Sequence, residues 1–130
     1  LKKRSTQRSY DMGHVMIHNT RGKDDVERAS LAFLVGNVAL TSGQEATLLL
    51  TIEGVWVATK NYSDGLQANG FDSLSDLVQK FAAGGGRIWV CGACAKPRGI
   101  TQEHLVGGAQ IVGAATAVEA LVSGAQTLSF

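Results

Sequence analysis

Proline, cysteine and charge are all scarce in this chain of 130 residues. One proline stands against sixteen glycines, there are two cysteines, and charged residues make up 18%. Two cysteines three positions apart cannot build a disulfide framework, so a reducing, cytoplasmic setting is expected. A formal net charge of +1 lacks the one-signed surface of a dedicated nucleic-acid or membrane-surface binder. No apolar run approaches the ~20 residues that span a bilayer. Leu1-Lys2-Lys3-Arg4 is basic, but polar Ser5 to Asp11 follow it, where a signal peptide would be apolar. With proline nearly absent, tight turns and close backbone contacts fall to glycine. What is present is a hydrophobic fraction of 45%, enough for one globular domain with a real core.

Residues 1–13 are polar and basic and are expected to form a tail ahead of a domain over 14–130. His14 to His18 has the character of a strand, and Asn19 to Lys23 that of a turn. Asp24 and Asp25 suit a helix N-terminus, where carboxylates meet unpaired N–H groups. A helix is predicted over Val26 to Thr41, with Val26, Ala29, Phe33, Gly36 and Leu40 on one face. Leu31, Leu34, Val35 and Val38 widen that face, and Gly43 stops the helix. Ala46 to Ile52 is an almost unbroken apolar run, as in a parallel strand buried on both faces. A short helical piece near Val55 to Lys60 and a long polar loop over Asn61 to Asp72 follow. Ser73-Leu74-Ser75-Asp76 resembles a capping box. It opens a helix carrying Leu74, Leu77, Val78 and Phe81.

Ile88 to Val90 reads as a buried strand, Thr101 to Val106 as helical, and Ala109 to Val112 as a short strand. Thr116-Ala117-Val118-Glu119 is a second capping-box match, opening a helix that Gly124 closes. Gln126 to Phe130 is the last strand. Strands separated by helices imply parallel pairing and right-handed crossovers. The expected class is α/β: a three-layer α/β/α domain with a mostly parallel sheet of about five strands.

The chemistry concentrates in Arg87 to Ile100, where an apolar strand ends in Cys91-Gly92-Ala93-Cys94 and passes into the loop Lys96-Pro97-Arg98-Gly99. In open α/β sheets, reactive groups gather at that end of a strand. A C-x-x-C can be half of a zinc site, a redox dithiol, a nucleophile with a bystander, or two packed thiols. Zinc needs about four ligands, and only His104 lies near in sequence. A thioredoxin-type dithiol sits early in its chain and faces a later cis-proline, whereas the lone Pro97 lies inside this same loop. A reactive Cys91 needs its thiolate stabilised. Lys96, Arg98 and a helix opening near Thr101 are the nearby means. His14 and His18 share a strand face, and His18, nearer the carboxyl end, could carry a proton. Asn19, Thr20 and Arg21 at the same edge could bind an anion or a partner, and Glu53 and Gly54 could line the same cleft. Trp56 and Trp89 read as core or interface. Gly84-Gly85-Gly86 lacks the Lys-Ser/Thr of a phosphate loop and reads as a turn.

The loop also resembles the DsrE/DsrF-like family, which includes the TusD sulfur-relay subunits. In that family a strand-end cysteine is followed by small residues and then Arg-Gly-Val/Ile, as in Cys91 and Arg98-Gly99-Ile100 here. The resemblance runs over most of 14–130. It takes in Thr20 to Ala29 after the first strand, the alanine-rich last helix and the closing Thr-Leu-Ser-Phe. It implies a small α/β sandwich that forms trimers or hexamers. It also implies that Cys91 carries a persulfide and passes its sulfur along a relay, with no cofactor or metal. Donor or acceptor proteins would be its partners. Cys94 departs from the relay subunits and would be a resolving thiol or a local variation. The rival expectations are a non-catalytic oligomeric module and a C-x-x-C thiol–disulfide oxidoreductase.

Overall fold

The computed structural model describes residues 12–130; most of the expected N-terminal tail lies outside them. Five strands form one sheet: β1 His14–Asn19, β2 Glu45–Leu50, β3 Arg87–Cys91, β4 Ala109–Val112 and β5 Gln126–Ser129. Their order is β4-β3-β2-β1-β5 and every pairing is parallel. The fold is therefore the α/β class read from the sequence. Ile17, Leu48, Ile88 and Ala109 stand in register across four strands, so they share one face of the sheet. Helices α1 (Val26–Thr41) and α2 (Leu74–Ala83) close that face. Phe33 and Phe81 meet edge to face between the helices, with ring centroids 5.7 Å apart, and both are fully buried. Gly36 lets this layer close up: a Cβ there would come within 2.8 Å of both Leu48 and Phe81.

The chain steps outward from β1 to β4, then returns to lay β5 beside β1. Right-handed crossovers put the returning helix on the opposite face. That helix is α4 (Ala114–Val122), and α3 is the single turn Gly92–Ala95 after β3. Among the described residues, α4 buries none of its side chains, and Val118, Leu121 and Val122 are exposed.

Local chemistry explains the element starts. The Asp25 carboxylate accepts from the Arg28 N–H at 3.0 Å and caps α1. The Ser73 hydroxyl accepts from the Asp76 N–H at 3.2 Å and caps α2. Gly43, at φ +85°, turns the chain out of α1.

Four expectations need correction. Leu34 and Val38 are 40% and 55% exposed, because α1 lies across only one layer and its outer side meets no second one. Thr101–Val106 holds only a 3₁₀ turn, Gln102–His104. Leu105 bridges to Thr59 and the Val106 N–H donates to the Ala58 carbonyl, so extended pairing displaces the helix. The helical piece after β2 is a 3₁₀ segment, Ile52–Ala58, earlier than expected. Thr116 does not cap α4: Gly113 is the N-cap, and Thr116 lies inside the helix.

Candidate functional site

Cys91 is the last residue of β3, at the carboxyl end of the sheet, and its thiol is free and partly exposed. Leu50 pairs with Val90, so the next residues along, Thr51 and Cys91, lie side by side on neighbouring strands. By alternation both point to the face covered by α4. There they wall a cavity of about 210 Å³ together with Leu49, Val112, Ala117 and Val118. Among the described residues no charged side chain lines it.

The same face carries a polar row. His18 Nε2 lies 2.7 Å from Thr51 Oγ1, and Ser129 Oγ lies 3.4 Å from His18 Nδ1. One turn of the pleat earlier, His14 Nε2 lies 2.8 Å from Thr47 Oγ1. Ser129, His18 and Cys91 thus come from β5, β1 and β3, and Thr51 from the residue that follows β2, which lies between β1 and β3. Burial pushes both histidines below the usual imidazole range, aided at His14 by the Arg87 charge. Trp89 sits edge-on to His14, with centroids 6.5 Å apart.

The other residues singled out in the sequence divide into two groups. Arg98 and Glu53 meet: Arg98 donates through Nη2 at 3.2 Å to the Glu53 carboxylate and through Nη1 at 3.1 Å to the Cys94 carbonyl. This pair ties the loop after Cys91 to the turn after β2. Gly99, at φ +71°, turns the chain back at the end of that loop, and Ile100 tucks into the core. Lys96 faces a separate hollow with Ile100 and Thr101. The Thr101 N–H donates to His104 Nδ1 at 3.0 Å, so it is directed at His104. Cys94 is a free thiol, partly exposed and packed against the core.

The second group builds the turn at the end of β1. Asn19 is fully buried and uses both ends of its amide on the Arg21 backbone. The Thr20 hydroxyl donates to the Phe130 carbonyl at 3.0 Å. The Gly54 N–H donates to the Thr20 carbonyl, and a Cβ on Gly54 would lie 2.3 Å from the Asn19 carbonyl oxygen. Arg21 pairs with Asp24. Trp56 stacks on Tyr62 at 5.9 Å, away from Cys91. Among the described residues, no group of three or more His, Cys, Asp or Glu side chains gathers as a metal site.

Thr51 and Ser129 were not found from the sequence. The available signal was a matched spacing: His14 and His18 are four apart in β1, and Thr47 and Thr51 are four apart in β2. Two polar pairs at equal spacing in two apolar strands can meet when those strands are neighbours in register.

Fold and site define a class: a parallel α/β protein with a partly exposed cysteine at the end of an inner strand, beside an apolar cavity and a histidine–hydroxyl row. A family model, the DsrE/DsrF-like family, matches residues 13–130, and the chain belongs to that family. It is 34% identical over 102 residues to the uncharacterized protein MJ0760 of Methanocaldococcus jannaschii, covering 78% of this chain and 37% of that one. The chain thus spans just over a third of that relative's length. It is 33% identical over 85 residues to the uncharacterized protein MJ0989 of the same organism, covering 65% of this chain and 71% of that one. Among solved structures, the ychN protein from E. coli is similar at a TM-score of 0.75 and 16% identity, over 92% of this chain and 99% of that one. MTH1491, a protein of unknown function from Methanobacterium thermoautotrophicum, is similar at 0.66 and 16%, over 92% and 100%. At such identities these two speak for the fold.

Proposed function

We propose that this protein handles sulfane sulfur, with Cys91 accepting it as a persulfide and passing it on. The observation that carries the reading is the free, partly exposed Cys91 thiol at a strand end, walling a cavity beside the Thr51 hydroxyl. Membership of the DsrE/DsrF-like family supports the same class of chemistry.

In the proposed step, Cys91 loses its proton and attacks the outer sulfur of a donor persulfide. The donor S–S bond breaks, the donor leaves as a thiolate, and that thiolate takes up a proton. Atoms and oxidation levels are exchanged without any added oxidant. Burial favours the neutral form of His18, which leaves one ring nitrogen as a hydrogen-bond acceptor. With Nε2 as acceptor, the Thr51 hydroxyl donates to His18. Thr51 and His18 would then move the proton, and Ser129 would hold the far ring nitrogen. Lys96 and Arg98 would act from the loop, Arg98 chiefly by fixing it to Glu53. Asn19, Thr20 and Gly54 would shape the adjoining turn, and Gly99 the exit of the loop.

The experiment is intact mass after incubation with a persulfide donor. The expected result is one added sulfur atom, absent in Cys91→Ser and formed more slowly in His18→Asn. No adduct in the unaltered protein would refute the reading. Cys94 lies one helical turn on from Cys91 and is also free, which favours a second reading, a dithiol oxidoreductase. That reading requires a reversible Cys91–Cys94 bond and dependence on both thiols, whereas the carrier loads normally in Cys94→Ser.

We further propose self-assembly. Leu121, Val122 and Leu128 leave apolar side chains exposed on α4 and β5, and unmatched apolar surface favours association. Light scattering should give a multiple of the chain mass, reduced in Val122→Glu. An oligomer that forms unchanged in that variant places the interface elsewhere.

A further inference from the structure

We infer that the cavity beside Cys91 selects a persulfide borne on a small apolar group over sulfur donors that carry further, permanent negative charge. This rests on the carrier reading and adds to it the chemical class of the donor.

The walls carry the argument. Leu49, Val112, Ala117 and Val118 supply apolar surface, Thr51 and Cys91 complete the wall, and the Thr51 hydroxyl is turned to His18. The cations near Cys91 in sequence do not line it. Lys96 lines a different hollow, and Arg98 is paired with Glu53 beside a third one that also holds Lys60 and His104. A carboxylate or a thiosulfate dianion entering would shed water and meet no compensating charge, which is strongly unfavourable, whereas a persulfide sulfur can enter in its protonated form. An apolar group gains from the same transfer.

Size narrows the class further. The cavity is about 210 Å³. An apolar cavity of about 150 Å³ admits benzene, whereas drug-sized ligands occupy about 300 Å³ or more. A single ring or a short branched alkyl group therefore fits, with its sulfurs directed at Cys91. A tripeptide carrier such as glutathione exceeds the space and would leave most of its chain outside the apolar walls. Transfer is the exchange already described: the new bond joins Cys91 Sγ to the outer sulfur, the old S–S bond breaks, and the small thiol leaves carrying the proton that Cys91 gave up.

Ala117 sets the size of the space from α4. Leucine there fills it, and both residues are good helix formers. The test compares benzyl persulfide, glutathione persulfide and thiosulfate as donors. The readout is the rate at which the mass of one sulfur appears on the protein. Benzyl persulfide should load at least about tenfold faster than either of the permanently charged donors, a ratio within reach of apolar pocket selection. That ratio should collapse in Ala117→Leu, through slower loading from benzyl persulfide. Val118→Ala, which enlarges the cavity, should bring in naphthylmethyl persulfide, and this keeps the test open if Ala117→Leu folds poorly. Equal loading from all three donors, or the same ratio in both variants, overturns the inference and leaves the carrier intact. Loading from no donor overturns the carrier reading and this inference with it.

Discussion

At the residue scale, two positions at the end of β2 show backbone constraint. Gly54 touches the Asn19 carbonyl so closely that a Cβ would sit 2.3 Å from it. The obstacle is backbone, which cannot rotate away. Gly54→Ala should therefore cost about 1–3 kcal/mol or more, read as a drop in the denaturant midpoint at constant slope. Ile52 holds φ +56°, a left-handed conformation that is strained for a β-branched residue. Its side chain is 53% exposed, so little burial is lost on replacement. Ile52→Asn, which tolerates that conformation, should raise stability by up to about 1 kcal/mol. A lower melting temperature in that variant would show that the Ile52 side chain contributes more than its backbone costs. Both residues adjoin Thr51, so the turn that presents the cavity wall is held rigidly.

Among the elements, α1 and α2 depend on one aromatic contact. Phe33 and Phe81 are both fully buried and edge to face. Phe81→Ala should cost about 3–5 kcal/mol, measured by equilibrium unfolding, and should loosen α2 before the strands. The Arg98–Glu53 pair joins two elements at the site but is partly open, with Arg98 26% and Glu53 41% exposed. Its coupling should be no more than about 1 kcal/mol in a double-mutant cycle of Arg98→Met and Glu53→Gln. A larger value would mean that the loop around Cys94 rearranges with it. Helix α4 differs from both others. Its apolar residues are not matched by burial, so its sequence pattern reflects surfaces beyond the sheet it covers.

For the whole molecule, the histidine row sets an acid sensitivity. His14 and His18 titrate below their ordinary value of 6.5 in the folded chain. Between that lowered value and 6.5 the unfolded chain binds more protons, so stability rises with pH there. The contribution is complete above about 6.5 and is lost as pH falls through the folded values. Asp24 and Asp25 repeat the pattern further down, held below 3.8 chiefly by the Gly22 and Arg28 backbone N–H groups. The melting temperature should thus fall between about pH 7.5 and about pH 5, and less steeply in a His14→Asn/His18→Asn double variant. Equal slopes would show that the histidines do not carry the effect.

Much of the architecture was legible because its causes are local. Asp25 and Ser73 cap where they were expected to, the run from Ala46 to Ile52 forms the buried strand it resembles as far as Leu50 with Ile52 already in the 3₁₀ segment, and Cys91 ends a strand because apolar residues give way to small ones. Thr116 misled for the opposite reason. A hydroxyl three residues ahead of a carboxylate fits a helix start anywhere, and this helix opens earlier, at Gly113. Thr101 does cap the turn it opens, but the pairing of Leu105 and Val106 with Thr59 and Ala58 stops that turn from growing into the expected helix. Leu34 and Val38 looked like core because helical spacing records a face and not what lies against it.

The sequence by itself determined the order of elements, the parallel sheet and a thiol at the mouth of a strand, since each follows from neighbours a few bonds away. Tertiary structure alone decided that Ser129, His18, Thr51 and Cys91 form one row, that Arg98 reaches Glu53, and that apolar side chains wall the space beside the thiol. Those juxtapositions depend on which strand lies beside which and on the register between them. That is set by the packing energy of the whole sheet and leaves no mark in any short stretch of chain.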